Sequence, residues 1–496
     1  MKLADLLDQH PHRLVRGSLD IEISAAVATD TRRVERGCLF VAVAGRRQDG
    51  HALLREAFAN GAVAALVVEP ESAAPEEMTV VQVPDTLAAV SHAAARWYGE
   101  PGRSMRVVSM TGTNGKTSVA AILESVLASL DSAPVGVIGT GGPRLDRAPL
   151  PLPVSTPTTP QAIELQAILR AMADRQVGTV VLEASSVALL QHRVDDAFTD
   201  IGVFTNLSHD HLDDHGSMDA YRQAKMLLFS GLADLAVANA DDPVTAEIHT
   251  LMPGRVTTFG LERDADYRAA DVRVSSAGTA FTLLHRGRRY QAAIPVPGRF
   301  AASNALAAIA VCGLLGYELA HVLPALRALG QIPGRMQTLC LADGTTVVVD
   351  YAHSPDALEK VLHTLRDLTA APGRLLTVFG CGGDRDPAKR EPMGAIAGRL
   401  SDHVIITSDN PRTEDPESIL DAIERGLGPT GTGYERVADR REAIARALSA
   451  ARPGDTVLIA GKGSEDYQII GERTLPFQDV AVVAELTRDP GSAATA

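Results

Sequence analysis

Cysteine is scarce in this chain of 496 residues, and the four present, Cys38, Cys312, Cys340 and Cys381, stand far apart with no Cys-x-x-Cys pair. That spacing argues against a disulfide framework or a zinc site and fits a reducing compartment. Aromatic residues are only 4% of the chain, and Trp97 is its one tryptophan, so the core must be aliphatic. Basic charge is in deficit: 47 Lys and Arg against 61 Asp and Glu leave a formal charge of −14. Such a field repels phosphate backbones and excludes general nucleic-acid binding, so an anionic ligand would need a locally basic site. No apolar run approaches the ~18 residues of a membrane span. The segment Met1–Asp8 meets charges too soon for the apolar stretch of a signal peptide. A soluble, cytoplasmic protein with no membrane partner is expected. Internal repeats and long low-complexity tracts are also missing.

What is present is the composition of a globular α/β protein, 45% hydrophobic and 22% charged. Its length predicts roughly three domains, at about 100–200 residues each. Short Val-rich runs alternate with Ala/Leu-rich helical stretches: Ala64–Val68, Val107–Met110, Val177–Leu182, Ile201–Phe204, Thr346–Asp350, Leu375–Phe379, Val404–Thr407 and Thr456–Ala460. Continuous apolar runs of this length predict strands buried on both faces, and helices between them predict parallel sheets. Turn-rich breaks at Gly99–Ser104 and Gln331–Arg335 mark two boundaries. The alternating stretch Tyr267–Val296 reads as a small antiparallel excursion in the middle of the chain, and the tail from Asp489 to Ala496 as frayed.

The most informative segment is Gly112-Thr113-Asn114-Gly115-Lys116-Thr117. An apolar strand precedes it (Arg106–Met110) and a helix pattern follows it (Ser118–Leu130). Glycines let backbone N–H groups converge on phosphate oxygens, and the helix N-terminus adds partial positive charge. Lys116 would meet the β- and γ-phosphates, and the Thr117 hydroxyl would face Mg²⁺. The strict eight-residue phosphate-loop pattern is not met, because Met110 stands where its first glycine belongs. The loop predicts a bound nucleoside triphosphate and leaves kinase, ATPase and ligase open.

The form Thr111–Thr117 is similar to the loop of the Mur ligases and folylpolyglutamate synthetases. Further motifs then follow in family order: Asp30-Thr31-Arg32, Thr158-Thr159-Pro160, Glu183-Ala184-Ser185-Ser186, Asn206 to Asp213, Tyr221–Lys225, Pro333-Gly334-Arg335, Asp350-Tyr351-Ala352-His353, Gly380–Asp386, Asp409-Asn410-Pro411-Arg412 and Gly461-Lys462-Gly463. The chain thus resembles the Mur ligase family over nearly its whole length, and the branch that adds diaminopimelate in particular. The resemblance implies an α/β chain of three domains: a uridine-nucleotide domain at 1–101, a central ATP-binding domain with a parallel sheet at 102–332, and a Rossmann-like amino-acid domain at 333–496.

It also implies a site. Gly112, Thr113, Asn114, Gly115, Lys116, Thr117 and Ser118 would bind ATP, with Asn304 at the adenine and Arg335 and Asp350 at the γ-phosphate and ribose. Glu183 and His211 each follow a predicted strand, at the sheet edge where such folds place ligands. With Thr117 they would form a Mg²⁺ site. Lys225 would join it as a carbamate, which requires a neutral amine and hence a depressed pKa. By themselves Glu183 also reads as a helix-cap carboxylate, His211 as a helix-capping or core histidine, Lys225 as a surface lysine and Asn304 as a helix N-cap. For the uridine precursor the resemblance nominates Thr29, Thr31, Arg46, Arg47, Gln48, Thr158, Thr159, Ser185, Gln191 and Arg193. For the amino acid it nominates Arg390, Asp409, Asn410, Pro411, Arg412, Gly461 and Glu465. Diaminopimelate carries a carboxylate that L-lysine lacks, and Arg412 could pair with it.

The expected reaction is ATP-dependent amide formation through an acyl phosphate, joining meso-diaminopimelate to UDP-N-acetylmuramoyl-L-alanyl-D-glutamate. The expected catalytic set is Lys116, Glu183, His211 and Lys225, in a monomer. Three positions depart from the family pattern: Val187 and Ser464 stand where histidines are expected, and Pro157 where asparagine is common. These departures keep alternatives open: a ligase for LL-diaminopimelate, L-lysine or a specialised peptide, or a weakly catalytic nucleotide-binding relative.

Overall fold

The computed structural model describes residues 1–45, 48–69 and 74–487. Its strands gather into three α/β sheets that succeed one another along the chain. The first has four strands among the described residues, in the order Arg13–Arg16, Thr79–Gln82, Ala64–Val67, Leu39–Val41, parallel except at the Arg13–Arg16 edge. Strand side chains alternate between two apolar layers. Leu39, Val41, Leu66 and Val81 face one, with the helix Thr86–Trp97; Phe40, Ala65, Val67 and Val80 face the other.

The second sheet has eleven strands among the described residues. Six parallel ones lie in the order Val135–Ile138, Thr179–Glu183, Arg106–Thr111, Thr199–Phe204, Ala233–Asn239, Val256–Gly260. Val107, Val108, Val180, Val181 and Val203 are fully buried, as strands covered by helices on both faces require. The chain leaves Arg106–Thr111 toward one side and later crosses to its other side, so a crevice opens at the C-terminal ends of these central strands. Glu183 ends its strand rather than following it, with Glu183 paired to Met110 across the ladder. The stretch predicted as an antiparallel excursion is indeed antiparallel, as Tyr267–Ser275, Gly278–His285 and Arg288–Ile294. It is not separate, however: Phe259 and Gly260 pair with Tyr267 and Arg268, so it extends the main sheet.

The third sheet has six strands among the described residues, in the order Gln337–Cys340, Thr346–Asp350, Thr456–Ala460, Leu375–Phe379, His403–Ile406, Gly433–Arg436, antiparallel only at the first pair. A hairpin, Tyr467–Ile470 with Arg473–Pro476, stands beside it. The helix that carries Lys225 runs over Met218–Met226 and tightens into a 3₁₀ turn over Leu227–Phe229. No helix among the described residues is long and apolar enough to cross a membrane. The expected frayed tail, Asp489–Ala496, lies outside the described residues.

Candidate active site

The loop 112–115 leaves the buried strand Arg106–Thr111 and enters the helix Lys116–Leu130, whose first turn carries Thr117 and Ser118. Gly115 caps the helix with φ +92°, and a Cβ there would lie 2.6 Å from Asn304 Oδ1. Only glycine accommodates both demands. Asn304 therefore packs on the loop from within the helix Arg299–Leu314, and does not cap that helix. The next strand connection pins the loop. Asn206 accepts from the Thr113 N–H (2.8 Å) and the Asn114 N–H (3.0 Å), while Thr205 Oγ1 donates to the Asn114 carbonyl (2.6 Å). Lys116 folds back onto its own loop, donating to the carbonyls of Gly112 (2.7 Å) and Thr113 (3.0 Å). Burial depresses its pKa, opposed by the charges of Glu183 and Asp210.

Glu183 has no exposed surface. Its carboxylate accepts from Thr117 Oγ1 (2.8 Å) and the Thr140 N–H (3.0 Å), and it forms no ion pair among the described residues. A buried carboxylate without a cation suits a metal ion, and hydroxyl, carboxylate and imidazole are donors that Mg²⁺ accepts beside water and phosphate. His211 lies beyond the strand Thr199–Phe204, with φ +55°, at the start of the short helix Leu212–His215, whose N-terminus it does not cap with its side chain. Its pKa falls to about 4, through desolvation first and then the charges of Lys116, His353 and Lys225, against the opposing pull of Asp210. The imidazole is thus neutral, as a ligand must be.

Lys225 is the reverse of a surface lysine. It is 1% exposed, its Nζ lies 4.1 Å from the Tyr221 ring centre, and no carboxylate among the described residues ion-pairs with it. Burial, then Lys116, drives its pKa well below the ordinary lysine value. A depressed pKa of this kind in a buried amine is what carbamylation requires.

Around Glu183 the nominated uridine-side residues converge. Thr159 Oγ1 donates to the Glu183 carbonyl (2.7 Å) and accepts from the Ser185 N–H (3.0 Å). Arg193 donates to the Thr159 carbonyl (2.9 Å) and to Gln191 Oε1 (3.0 Å), and Thr158 meets Thr140 (3.4 Å). In the first unit Thr31 is buried at the start of a 3₁₀ turn whose Arg33 reaches Glu164 at 3.5 Å, bringing that turn toward the same region. Thr29 and Gln48 are exposed. Arg46 and Arg47 lie outside the described residues.

The third unit closes over the loop. Asp356 accepts from Asn114 Nδ2 (3.0 Å), and buried Asp210 lies 3.7 Å from His353 and 4.0 Å from Lys389. Burial pushes the Asp210 pKa up, but the electrostatic pull of His353, His211 and Lys389 outweighs it and holds the pKa down to about 2. Asp350 accepts from the N–H groups of Met336 (2.7 Å) and Ala352 (2.8 Å). Arg335 lies over the Tyr351 ring, 4.2 Å from its centre, with Nε buried and donating to no described acceptor. Gly334, with φ +64°, is pressed against Gly463 and Ser464, where a Cβ would overlap their backbone.

The nominated amino-acid residues also gather. Arg390 is 4% exposed and pairs with Glu414 in a two-bond fork (2.6 and 2.7 Å), with Nη2 also donating to the Gly382 carbonyl (3.3 Å). Arg412, with φ +52°, donates to the Gly383 carbonyl (2.7 Å) and forms no ion pair among the described residues. Its backbone is clamped by the hairpin, through Ile469 O (3.1 Å) and the Gly471 N–H (2.7 Å). Pro411, beside it, presses its carbonyl against Gly383, while Asp409, Asn410 and Gly461 line the same cleft as Glu465. Of the three departures, Pro157 is exposed, Ser464 presents its backbone to Gly334, and Val187 neighbours Ser186, whose hydroxyl bonds His215 (2.8 Å).

The site missed by sequence reasoning is mostly one of partners. Asn206, Asp210, His353 and Lys462 all lie inside recognised motifs, but only folding reveals what they hold.

A phosphate loop at a parallel-sheet switch point, with a third α/β unit closed over it, defines a nucleotide-dependent enzyme of the closing, multi-unit kind. Two family models match: the Mur ligase middle domain over residues 110–312, and the Mur ligase glutamate ligase domain over 334–463. The chain belongs to the Mur ligase family. It is 39% identical to UDP-N-acetylmuramoyl-L-alanyl-D-glutamate–2,6-diaminopimelate ligase 2 of Clostridium acetobutylicum, over 98% of this chain and 100% of that one. It is 42% identical to the ligase of the same name, without the numeral, from Geobacter metallireducens, over 99% of each. A solved structure of a UDP-N-acetylmuramoyl-L-alanyl-D-glutamate–2,6-diaminopimelate ligase superposes with a TM-score of 0.68 at 33% identity, covering 98% of both chains.

Proposed function

We propose that this chain is an ATP-dependent ligase that adds meso-diaminopimelate to UDP-N-acetylmuramoyl-L-alanyl-D-glutamate in peptidoglycan precursor synthesis, working as a cytoplasmic monomer. The observation that carries this reading is Arg412. It is half-buried in the cleft and free of any ion pair among the described residues, whereas buried Arg390, Arg440 and Lys462 of the same unit already hold carboxylates. A cation left uncommitted there suits an amino acid with a second carboxylate. The named relatives, similar over the full chain, support the same substrates.

On this reading residues 1–101 hold the uridine nucleotide, 102–332 the ATP and 333–496 the amino acid. The γ-carboxylate of D-glutamate attacks the γ-phosphoryl of ATP, giving ADP and an acyl phosphate. The amine of diaminopimelate then attacks the acyl carbon, forming the amide and releasing phosphate and a proton. Gly112 to Ser118 cradle the triphosphate, Asn304 sits at the adenine, and Arg335 and Asp350 complete the nucleotide site from the third unit. Lys116 exchanges its two carbonyl partners for phosphate oxygens. Thr117, Glu183, His211 and a carbamylated Lys225 would hold Mg²⁺, which when bound neutralises charge on the phosphates. Thr29, Thr31, Arg46, Arg47, Gln48, Thr158, Thr159, Ser185, Gln191 and Arg193 hold the uridine substrate. Closure of the third unit aligns the in-line attack and excludes water.

The test is to incubate the purified chain with the uridine dipeptide, ATP, Mg²⁺ and single amino acids, following phosphate release and product mass. A tripeptide product is expected with meso-diaminopimelate. Turnover with L-lysine alone, or with no amino acid, would remove the assignment.

A further inference from the structure

Lys462 is a lysine with no exposed surface, set behind the amino-acid cleft. Its Nζ donates to Glu465 Oε2 at 2.8 Å and to Asn410 Oδ1 at 3.1 Å. The Ile469 N–H donates to that same asparagine oxygen at 3.0 Å. An amide oxygen held by two donors cannot trade places with its nitrogen, since a flip would set N–H groups against N–H groups. Asn410 Nδ2 is therefore aimed at Glu465 Oε2, to which it donates at 3.0 Å. With Oε2 occupied twice, the second carboxylate oxygen, Oε1, meets only the Tyr351 hydroxyl at 3.5 Å. What the pair leaves unused is one carboxylate oxygen, an acceptor with a single long contact, and one amide N–H, a donor. An ammonium needs the first and a carboxylate needs the second.

We propose that Lys462 is a positioning residue: by locking Asn410 and Glu465 it fixes which end of an amino-acid head group lies where, and so sets the preference for an acceptor with a second head group over one ending in a plain amine. The inference rests on the diaminopimelate reading given above. Lys462 does not touch the substrate. Without it the Asn410 oxygen keeps one donor, the Ile469 N–H, instead of two, and Glu465 loses its charge-assisted partner, so the pair is held less firmly in the orientation that leaves an N–H for the substrate carboxylate. L-Lysine has no distal carboxylate to lose this contact, so the two acceptors respond differently.

The experiment compares the wild-type chain with Lys462→Met, measuring kcat and KM for diaminopimelate, for L-lysine at high concentration, and for ATP. The preference for diaminopimelate is expected to fall by roughly tenfold or more, through its KM, while the KM for ATP stays put. A second variant, Lys462→Met with Glu465→Gln, leaves neither charge buried alone. Its melting temperature should return toward the wild-type value while the preference stays low. An unchanged preference in both variants, whatever happens to total activity, overturns the assignment. A wild-type chain that makes no product with diaminopimelate instead sinks the ligase reading, and this inference with it.

Discussion

The phosphate-loop side and the amino-acid side of the cleft are wired in opposite ways. On the first, Lys116 and Lys225 carry amines without carboxylate partners among the described residues: one leans on its own loop carbonyls, the other on an aromatic face. On the second, Arg390, Arg440 and Lys462 are buried and each already grips a carboxylate, at 2.6 to 2.8 Å. Buried charge is costly unless matched. The first side therefore stands in deficit until anions arrive, and phosphates together with a carbamate are anions of the right kind. The second side stands complete, apart from Arg412. Read this way, the uncommitted cations trace where anionic ligand groups go, and the committed ones build the walls.

The largest test of this contrast is Lys225→Ala. Removing the group that would become a carbamate should lower ligase activity by roughly a hundredfold or more in a phosphate-release assay. Full activity would remove the carbamate role. Next is Arg412→Ala, expected to raise the KM for diaminopimelate by roughly a hundredfold with the KM for ATP unchanged, as loss of a charge-assisted fork implies. The two sides should then part in stability. Arg390→Met strands Glu414 and should cost about 2 kcal/mol in denaturant unfolding, moderated because Glu414 reaches solvent. Lys225→Met removes an unpaired buried amine and should leave the ligand-free protein as stable as before or more so, by about 1 kcal/mol. The same loss from both variants would break the contrast. The smallest effect is in pH. Because the folded pKa of Lys225 is depressed, the unfolded chain binds the extra proton between that value and the ordinary lysine value. Stability should therefore rise with pH across that window, and Lys225→Met should lack this rise.

Much of this was legible in the sequence where the signal is local. Thr346–Asp350, Leu375–Phe379 and Thr456–Ala460 are strands with the expected ends, because a fully buried parallel strand must be continuously apolar. The phosphate loop announced itself by glycine and lysine at fixed spacing. Sequence could place Arg390 near the cleft but not foresee that Glu414, 24 positions on, consumes it. Nor does any local pattern report that Lys225 lacks a counter-charge, or that Lys462 has two partners on different turns. The sheet extension at Phe259–Tyr267 escaped for the same reason, since pairing between neighbours is a tertiary fact. Residue chemistry is written in the chain; who neutralises whom is written in the fold.

Gly334 gives one further consequence. A single methyl at this position would overlap the backbone of Gly463 and Ser464, so a chain carrying alanine there must part residues 334–335 from the turn at 463–465. Arg335 is the adjacent residue and Glu465 follows Ser464 directly. The bare contact between two short backbones thus works as a gauge block. It sets one fixed spacing between Arg335 and Glu465, and any side chain inserted there would shift the two residues together.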